Sequence, residues 1–341
     1  MEKIRIICPD SHLNKKERIE YIIEEFEKWI FDPLFVELIN QFGGNMDLTL
    51  STIEKIKWLK KDFVDVWDYR KHQKNAITKE GESARWLLKN NQQVSNNKEL
   101  IYSVAERLGL IGNDTSLFDN PDYYLPLGGA RMSNLRRCQI AKNEMKRINS
   151  SAKVVALAGM RPINESERKG YIDTYAPNAL TEYDAIVEGM KNTFSPLILV
   201  EEEHIKSDNP NLSYDIKHFE NLTEKLSEFY TVAAPSTAPD RRANSADCFK
   251  FFFEKFAVPK YSRLVNCTSQ IYCSYQQVRA LFFAIDYEVE FDTIGFPYIL
   301  NSVNADEYSN QLSEPVNYLQ EMKGTIDAMY DFIECYATYL K

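Results

Sequence analysis

The sequence predicts an α/β fold with a mainly parallel sheet, an all-α N-terminal domain or cap before it, and a long C-terminal helix after it. Three observations carry this. From about residue 14 to 112, apolar residues recur every three or four positions; after "GNDTSLFDNPD" short apolar runs alternate with longer helical patterns; and residues 313–341 return to helical spacing. Alternating strands and helices build a parallel sheet, because each crossover helix must bury its apolar stripe on a face of that sheet. The chain has 341 residues, enough for two cores, since single cores stop growing near roughly 250–300 residues. The expected division is 1–115, 116–312 and 313–341.

In the first segment Ile19, Ile22, Ile23, Phe26 and Ile30 share one helix face. Further helical stretches follow over Ile53 to Trp67, residues 84–88 and Leu100 to Leu110, separated by "QFGGN", "KEGES" and "NNQQVSNN". The four tryptophans, Trp29, Trp58, Trp67 and Trp86, read as core. In the second segment the order is "YYLPL", a helix over Asn134 to Ile148, "KVVALAG", a helix starting near Thr181, "PLILV", "FYTVAAP", a helix over Arg242 to Phe256, "SRLVNCTS", and a helix over Tyr275 to Ala284. In the third, Leu319, Met322, Ile326, Met329, Ile333, Tyr336 and Leu340 form a heptad-like seam. It suits packing onto the body or, as the sharper alternative, a protein partner or a homodimer.

Composition narrows the function classes. With 44% hydrophobic and 13% aromatic residues, the chain can offset its ordering entropy and fold. A formal net charge of -9 argues against broad nucleic-acid or anionic-membrane binding, while leaving room for one local basic site. No run approaches the ~20 apolar residues of a membrane span, and the N-terminus lacks the pattern of a secretory signal; a cytoplasmic protein is the expectation. Six cysteines are scattered without a CxxC pair, which fits free thiols in a reducing compartment, not a disulfide framework or a zinc site.

In parallel sheets ligands bind beyond the carboxyl ends of the strands, so the loops after each apolar run are the ones that matter. The first carries Gly128 and Gly129, which let a ligand approach the backbone, then Arg131, with Ser133 or Asn134 placed to cap a helix whose N-terminus favours an anion. The second is long and holds Gly159, Arg161, Glu165, Glu167, Arg168, Glu182 and Asp184, a set suited to gripping a polar ligand and moving a proton. The third offers Ser236, Thr237, Asp240, Arg241, Arg242 and Asn244, and the fourth Thr268, Ser269, Tyr275, Gln276 and Arg279. Guanidinium groups among hydroxyl-rich turns suit a phosphate or carboxylate. Motifs for a P-loop, a dinucleotide-binding glycine triplet, a nucleophile elbow and HExxH zinc binding are absent. Cys267 and Cys273 read as small buried hydrophobes, and the four histidines, His12, His72, His204 and His218, lie outside these loops.

The order of these loops resembles the family typified by SanA, ElyC and YdcF. Gly128 and Gly129 match its glycine pair, "TEYDAIVEGM" is similar to its Ser-Glu-Ala helix start with Glu182 in the acidic position, Asn244 matches the last asparagine of its Asn-Thr-x-x-Asn element, and "TSQIYCSYQQVRA" keeps Thr268, Ser269, Tyr275, Arg279 and Ala280. Gln276 stands where that family has histidine, so chemistry that relies on an imidazole is not expected here. The resemblance covers about residues 121–292 and implies a Rossmann-like fold. It also implies binding of a nucleotide-like molecule, S-adenosylmethionine having been proposed for the family, which is linked with cell-envelope processes.

Together these readings predict an intracellular enzyme that binds a phosphorylated or nucleotide-like small molecule at the carboxyl edge of the sheet and performs hydrolysis or group transfer. Glu182 is the expected general acid or base, with Asp184 second. Gly128, Gly129, Arg131, Gly159, Arg161, Asn244, Thr268, Ser269, Gln276 and Arg279 would hold the ligand. No metal site or cofactor follows from the residues. The alternative is a non-catalytic ligand sensor or protein-interaction module.

Overall fold

The computed structural model describes residues 3–79, 85–112, 115–221, 223, 227–296 and 314–340. It divides into two compact units near residue 113, close to the change in sequence pattern: a helical unit of residues 1–113, 270–286 and 297–341, and an α/β unit of residues 114–269 and 287–296. The helical unit is therefore built from three stretches of chain. It takes in the helix expected over Tyr275 to Ala284 and the C-terminal helix expected as a separate element.

In the helical unit, α1 (Lys15–Ile30) starts at a capping box between Asn14 and Glu17. α2 (Pro33–Gln41) begins with proline at its first turn and the Asp32 carboxylate on the Leu34 and Phe35 N–H groups. α3 (Thr52–Trp58) repeats the capping box with Ser51 and Glu54, then continues through a π turn, Leu59–Phe63, and a 3-10 turn, Val64–Trp67. α4 (Tyr69–His72), α5 (Gln92–Asn96) and α6 (Lys98–Arg107) follow, with a 3-10 turn at Arg85–Leu87 where a longer helix is expected. Residues 80–84, most of "KEGES" and the start of that expected helix, lie outside the described residues. Trp29 and Trp67 are fully buried against Phe35, as core residues should be.

The α/β unit holds a seven-stranded sheet in the order β3-β4-β5-β2-β1-β6-β7. β1 (Tyr123–Pro126), β2 (Lys153–Ala158), β5 (Glu228–Ala233), β6 (Arg263–Ser269) and β7 (Glu290–Phe296) are parallel to their neighbours in that set. β3 (Leu197–Ile205) and β4 (Tyr214–Asn221) form an antiparallel hairpin joined to β5. The sheet is thus mainly parallel, with a hairpin at one edge. Both β4, "YDIKHFEN", and β7 escape the sequence reading. β4 is largely half-exposed and lacks an apolar run.

α7 (Ser133–Ile148) follows β1, α8 (Glu182–Phe194) follows β2 and α9 (Ser245–Phe256) follows β5. Cys138, Ala141 and Met145 of α7 and Tyr183, Ile186, Met190 and Phe194 of α8 share one core with Tyr124, Val154, Ala156, Val265 and Ile294. Period-3.6 stripes on the helices meet period-2 rows on the strands there. α10 (Cys273–Tyr287) continues from a 3-10 turn at Gln270–Tyr272, and α11 (Pro315–Cys335) closes the described chain. Within the helical unit Leu319, Met322, Ile326, Met329, Ile333 and Tyr336 are buried. The heptad-like seam is consequently core, not a free surface for a homodimer or partner, which corrects the sharper reading of it.

Candidate functional site

The chain steps from β1 to β2 to β5 on one side, then returns to place β6 and β7 on the other side of β1. Such a reversal opens a crevice beyond the carboxyl ends of the strands, where the loops after β1 and β2 and the end of β6 at Ser269 lie. The glycine loop after β1 is held from three directions. Gly128 N donates to Leu157 O at 2.6 Å. Asn134 clamps Gly129, its amide oxygen accepting from Gly129 N at 2.9 Å and its amide nitrogen donating to Gly129 O at 2.8 Å. Arg137 donates to Leu127 O at 2.8 Å, to Gly128 O, and to Ser269 Oγ at 3.1 Å, which ties the loop to the end of β6. No side chain caps α7; Asn134, expected in that role, serves the loop instead.

Glycine is required at 128 by close approach. A Cβ there would overlap Glu182 Oε1 and come within 2.9 Å of Ala158 Cβ and 3.0 Å of its Cα. Glu182 can swing away, but the β2 backbone cannot. Gly128→Val should therefore cost about 1–3 kcal/mol through overpacking and displace the Glu182 carboxylate. Gly159→Ala, whose Cβ would make ordinary contacts with Ala243 O at 3.4 Å and Ala243 Cβ at 3.8 Å, should be close to neutral. Urea denaturation of both variants checks this, and equal losses would show that Glu182 and Ala158 are not what excludes a side chain at 128.

Glu182 stands at the first position of α8, its side chain 16% exposed, with Arg161 Nε 3.0 Å from Oε2. Arg161 also forms a two-pronged pair with Glu167, at 2.7 Å to each oxygen, and Glu167 is fully buried. Burial by itself would lower the Arg161 guanidinium; the Glu167 hydrogen bonds and the charges of Glu182 and Glu167 outweigh it and raise it. Glu182 N in turn donates to Arg161 O at 2.8 Å. The long second loop is thus folded, not merely solvated. It carries 3-10 turns at Glu165–Glu167 and Ile172–Thr174 and a small core of Ile172, Ala176, Ala179 and Ala185. It reaches back to the glycine loop, where Tyr175 donates its hydroxyl proton to Arg131 O at 2.9 Å.

The other expected residues separate into three groups. Arg131 has a left-handed backbone, φ 53°, and lies buried with its guanidinium 4.3 Å from the centre of the Tyr171 ring. Thr268 is fully buried on β6, and its hydroxyl has no hydrogen-bond partner among the described residues. Asp184 and Asn244 act as helix caps. Asp184 accepts from Leu180 N, Thr181 N and the Thr181 hydroxyl, while Asn244 accepts from Ala246 N and Asp247 N. Asp184 is committed to that capping box, so Glu182 is the carboxylate that meets the glycine pair. Gln276 and Arg279 belong to the helical unit, where Arg279 pairs with Asp331 at 2.8 Å.

The sequence reading passed over Arg137 and gave no bonding role to Glu167. Asn134 and Arg137 are three apart, on the α7 side that also buries Cys138 and Ala141. Polar residues repeated on an otherwise buried helix stripe, just after a glycine pair, were the available signal. Cys248 lies at the same strand ends, its thiol 3.5 Å from Ala158 O. Burial, reinforced by the Glu182 charge, pushes that thiol up, so it stays protonated and is a poor nucleophile. Cys267 and Cys273 are buried as small hydrophobes.

Among the described residues no helix is long and apolar enough to cross a membrane. No solved structure matches the chain. Over 348 aligned residues the chain is 26% identical to uncharacterized protein Mb3814 of Mycobacterium bovis and, equally, to uncharacterized protein Rv3785 of Mycobacterium tuberculosis, with 97% of this chain and 94% of each relative covered. Residues 14–109, within the helical unit, match the family described as the Rv3785 N-terminal domain.

Proposed function

We propose that this chain is an enzyme that binds a phosphorylated or nucleotide-like small molecule beyond the carboxyl ends of β1, β2 and β6, and hydrolyses or transfers a group on it. The observation that carries the reading is the Glu182 carboxylate lying against Gly128 at the topological switch, partly exposed and oriented by Arg161. In that position it can take a proton from an attacking water or hydroxyl, and Arg161 fixes its orientation. Arg161 is itself held by the buried Glu167, so the acid-base group is positioned before any ligand arrives. The buried hydroxyl of Thr268 supplies a further polar contact at the β6 end. Six free cysteines fit a reducing cytoplasm as the working compartment.

The test is a thermal-shift screen of nucleotides, sugar phosphates and S-adenosylmethionine, followed by turnover assays on each compound that stabilises the chain. Glu182→Gln should keep the stabilisation and lose turnover by about 100-fold or more, the usual scale of a positioned acid or base. Binding without turnover in the unmodified protein would favour the ligand sensor, and full turnover in Glu182→Gln would remove Glu182 from its role.

A further inference from the structure

The helical unit carries a cleft of about 660 Å³ that takes no part in the site above. It lies where the N-terminal segment before α1, the corner between α1 and α2, and the end of α6 meet. Two hydrogen bonds hold its walls together. Ile4 N donates to Arg107 O at 2.8 Å, which ties the segment to α6, and Ile7 N donates to Glu25 Oε2 at 3.0 Å, which ties it to α1. Ile4, Ile7, Tyr21, Phe31 and Pro33 give the lining its apolar surface, while Lys3, Arg5, Lys28 and Arg107 bring basic side chains to the same space. Small-molecule sites of roughly 300–1,000 Å³ combine an apolar lining with a few placed polar groups in this way.

The acceptors of this lining are engaged, and some of its donors are not. Asp32 Oδ1 accepts from Leu34 N at 3.1 Å and Phe35 N at 3.3 Å, and Oδ2 accepts from Arg107 Nε at 2.8 Å. Glu25 Oε2 accepts from Ile7 N, and Oε1 accepts from Lys28 Nζ. Both carboxylates are buried, and each of their oxygens already holds a donor. Arg107 differs. Its side chain is 24% exposed and makes its hydrogen bond among the described residues through Nε alone, which leaves the two Nη nitrogens as a planar fork. Asp32 fixes that fork in place before any ligand arrives. Lys28 is 61% exposed, and its ammonium has donors beyond the one that meets Glu25.

We propose that this cleft binds a small organic oxyanion, a carboxylate or phosphate carried on an apolar or aromatic body, with the Arg107 guanidinium as its two-pronged anchor. Either group presents two oxygens at the spacing of the guanidinium fork. Lys28 adds a positive charge at the rim, and the body of the ligand covers Ile4, Ile7 and Phe31, removing their surface from water. A ligand that brings only donors finds the carboxylates already occupied. This inference stands apart from the α/β site and from the role given to Glu182.

The experiment is calorimetric titration of the full chain at low ionic strength with phenyl phosphate, benzoate, inorganic phosphate and benzyl alcohol. Saturable binding of phenyl phosphate or benzoate is expected, about tenfold or more tighter than that of inorganic phosphate because the ring is buried as well. Benzyl alcohol, which lacks the charge, should not bind. Arg107→Lys keeps a charge beside the buried Asp32 but loses the fork, and should weaken the aryl anion about tenfold or more, the loss of one charge-assisted hydrogen bond. Should that variant unfold, Lys28→Gln carries the test. Lys28 is exposed and glutamine retains a donor for Glu25, so this variant should fold with an unchanged unfolding midpoint and bind the same ligand about threefold more weakly, the scale of an exposed ion pair. Asn134→Ala, which loosens the glycine loop, should leave this binding unaltered. The proposal is overturned by the absence of saturable binding of both aryl anions, by equal affinity for inorganic phosphate or benzyl alcohol, or by full affinity in either lining variant that folds. Loss of the ligand in Asn134→Ala would also overturn it and assign the ligand to the α/β unit instead.

Discussion

Arg161→Ala should lower the unfolding free energy by about 3–5 kcal/mol, the scale on which a buried ion pair fails when one partner is removed. Arg161 is the only cation within pairing distance of Glu167 among the described ion pairs, and it also holds Glu182. Glu167 is fully buried, so without Arg161 its charge is left in a poorly solvated place. Lysine is a poor replacement, because one ammonium cannot meet both Glu167 oxygens and Glu182 in the planar fork that Arg161 uses. Glu167 also accepts from Asn164 N at 3.0 Å. The double variant Arg161→Ala with Glu167→Gln should consequently regain much of the loss, since the amide oxygen keeps that contact while the stranded charge is gone. Chemical denaturation of the single and double variants measures the difference. If the double variant is no more stable than Arg161→Ala, the loss comes from packing, not from an uncompensated charge.

Arg85→Ala should cost close to the lower end of the same range, about 3 kcal/mol at neutral pH, because Arg85 pairs through Nε with the buried Glu321 at 2.8 Å while Arg70 remains near Glu321 to offset part of the charge. This loss should depend on pH. Burial raises Glu321 above the ordinary carboxylate value, while Arg85 and then Arg70 pull it back. Removing Arg85 raises it further. A carboxyl group whose folded-state value is raised binds its proton more readily when folded, so low pH favours the folded state and stability falls as the pH rises through the raised value. The deficit of the variant should be largest above that value and shrink as the pH falls through it and Glu321 becomes neutral. Urea denaturation of both proteins from about pH 7 to about pH 5 follows the change. A constant deficit would mean that the lost contacts of Arg85 with the Tyr272 ring dominate.

Local pattern made much of this fold legible. The spacing of Ile19, Ile22, Phe26 and Ile30 specifies the buried side of α1, and the runs "YYLPL", "KVVALAG", "FYTVAAP" and "RLVNCTS" fall on the parallel strands β1, β2, β5 and β6. Each of those strands is buried along most of its length, so its sequence is rich in apolar residues and announces itself. β4 is half-exposed and polar, and no run marks it. The heptad-like seam of α11 was equally visible, but periodicity records only that a face is buried, not what buries it. Tertiary packing decided that the burial is internal to the helical unit.

The candidate site divides in the same way. Gly128, Gly129, Arg161 and Glu182 could be singled out because they end strands or open helices, positions that a sequence exposes. Their partners could not be. Glu182 meets Gly128 across 54 positions of chain, Arg137 reaches Ser269 across 132, and Arg85 finds Glu321 only where the C-terminal helix returns. Asp184 and Glu182 look alike in sequence, yet one closes a capping box and the other faces the glycine loop. Sequence by itself determined four of the parallel strands, the longer helices between them and the chemistry available at each of those strand ends. Only the tertiary structure decided which carboxylate is held by which arginine, and that Gln276 and Arg279 belong to the helical unit. Secondary structure follows from contacts within a few residues, whereas charge pairing is set by whichever distant side chains share one buried volume.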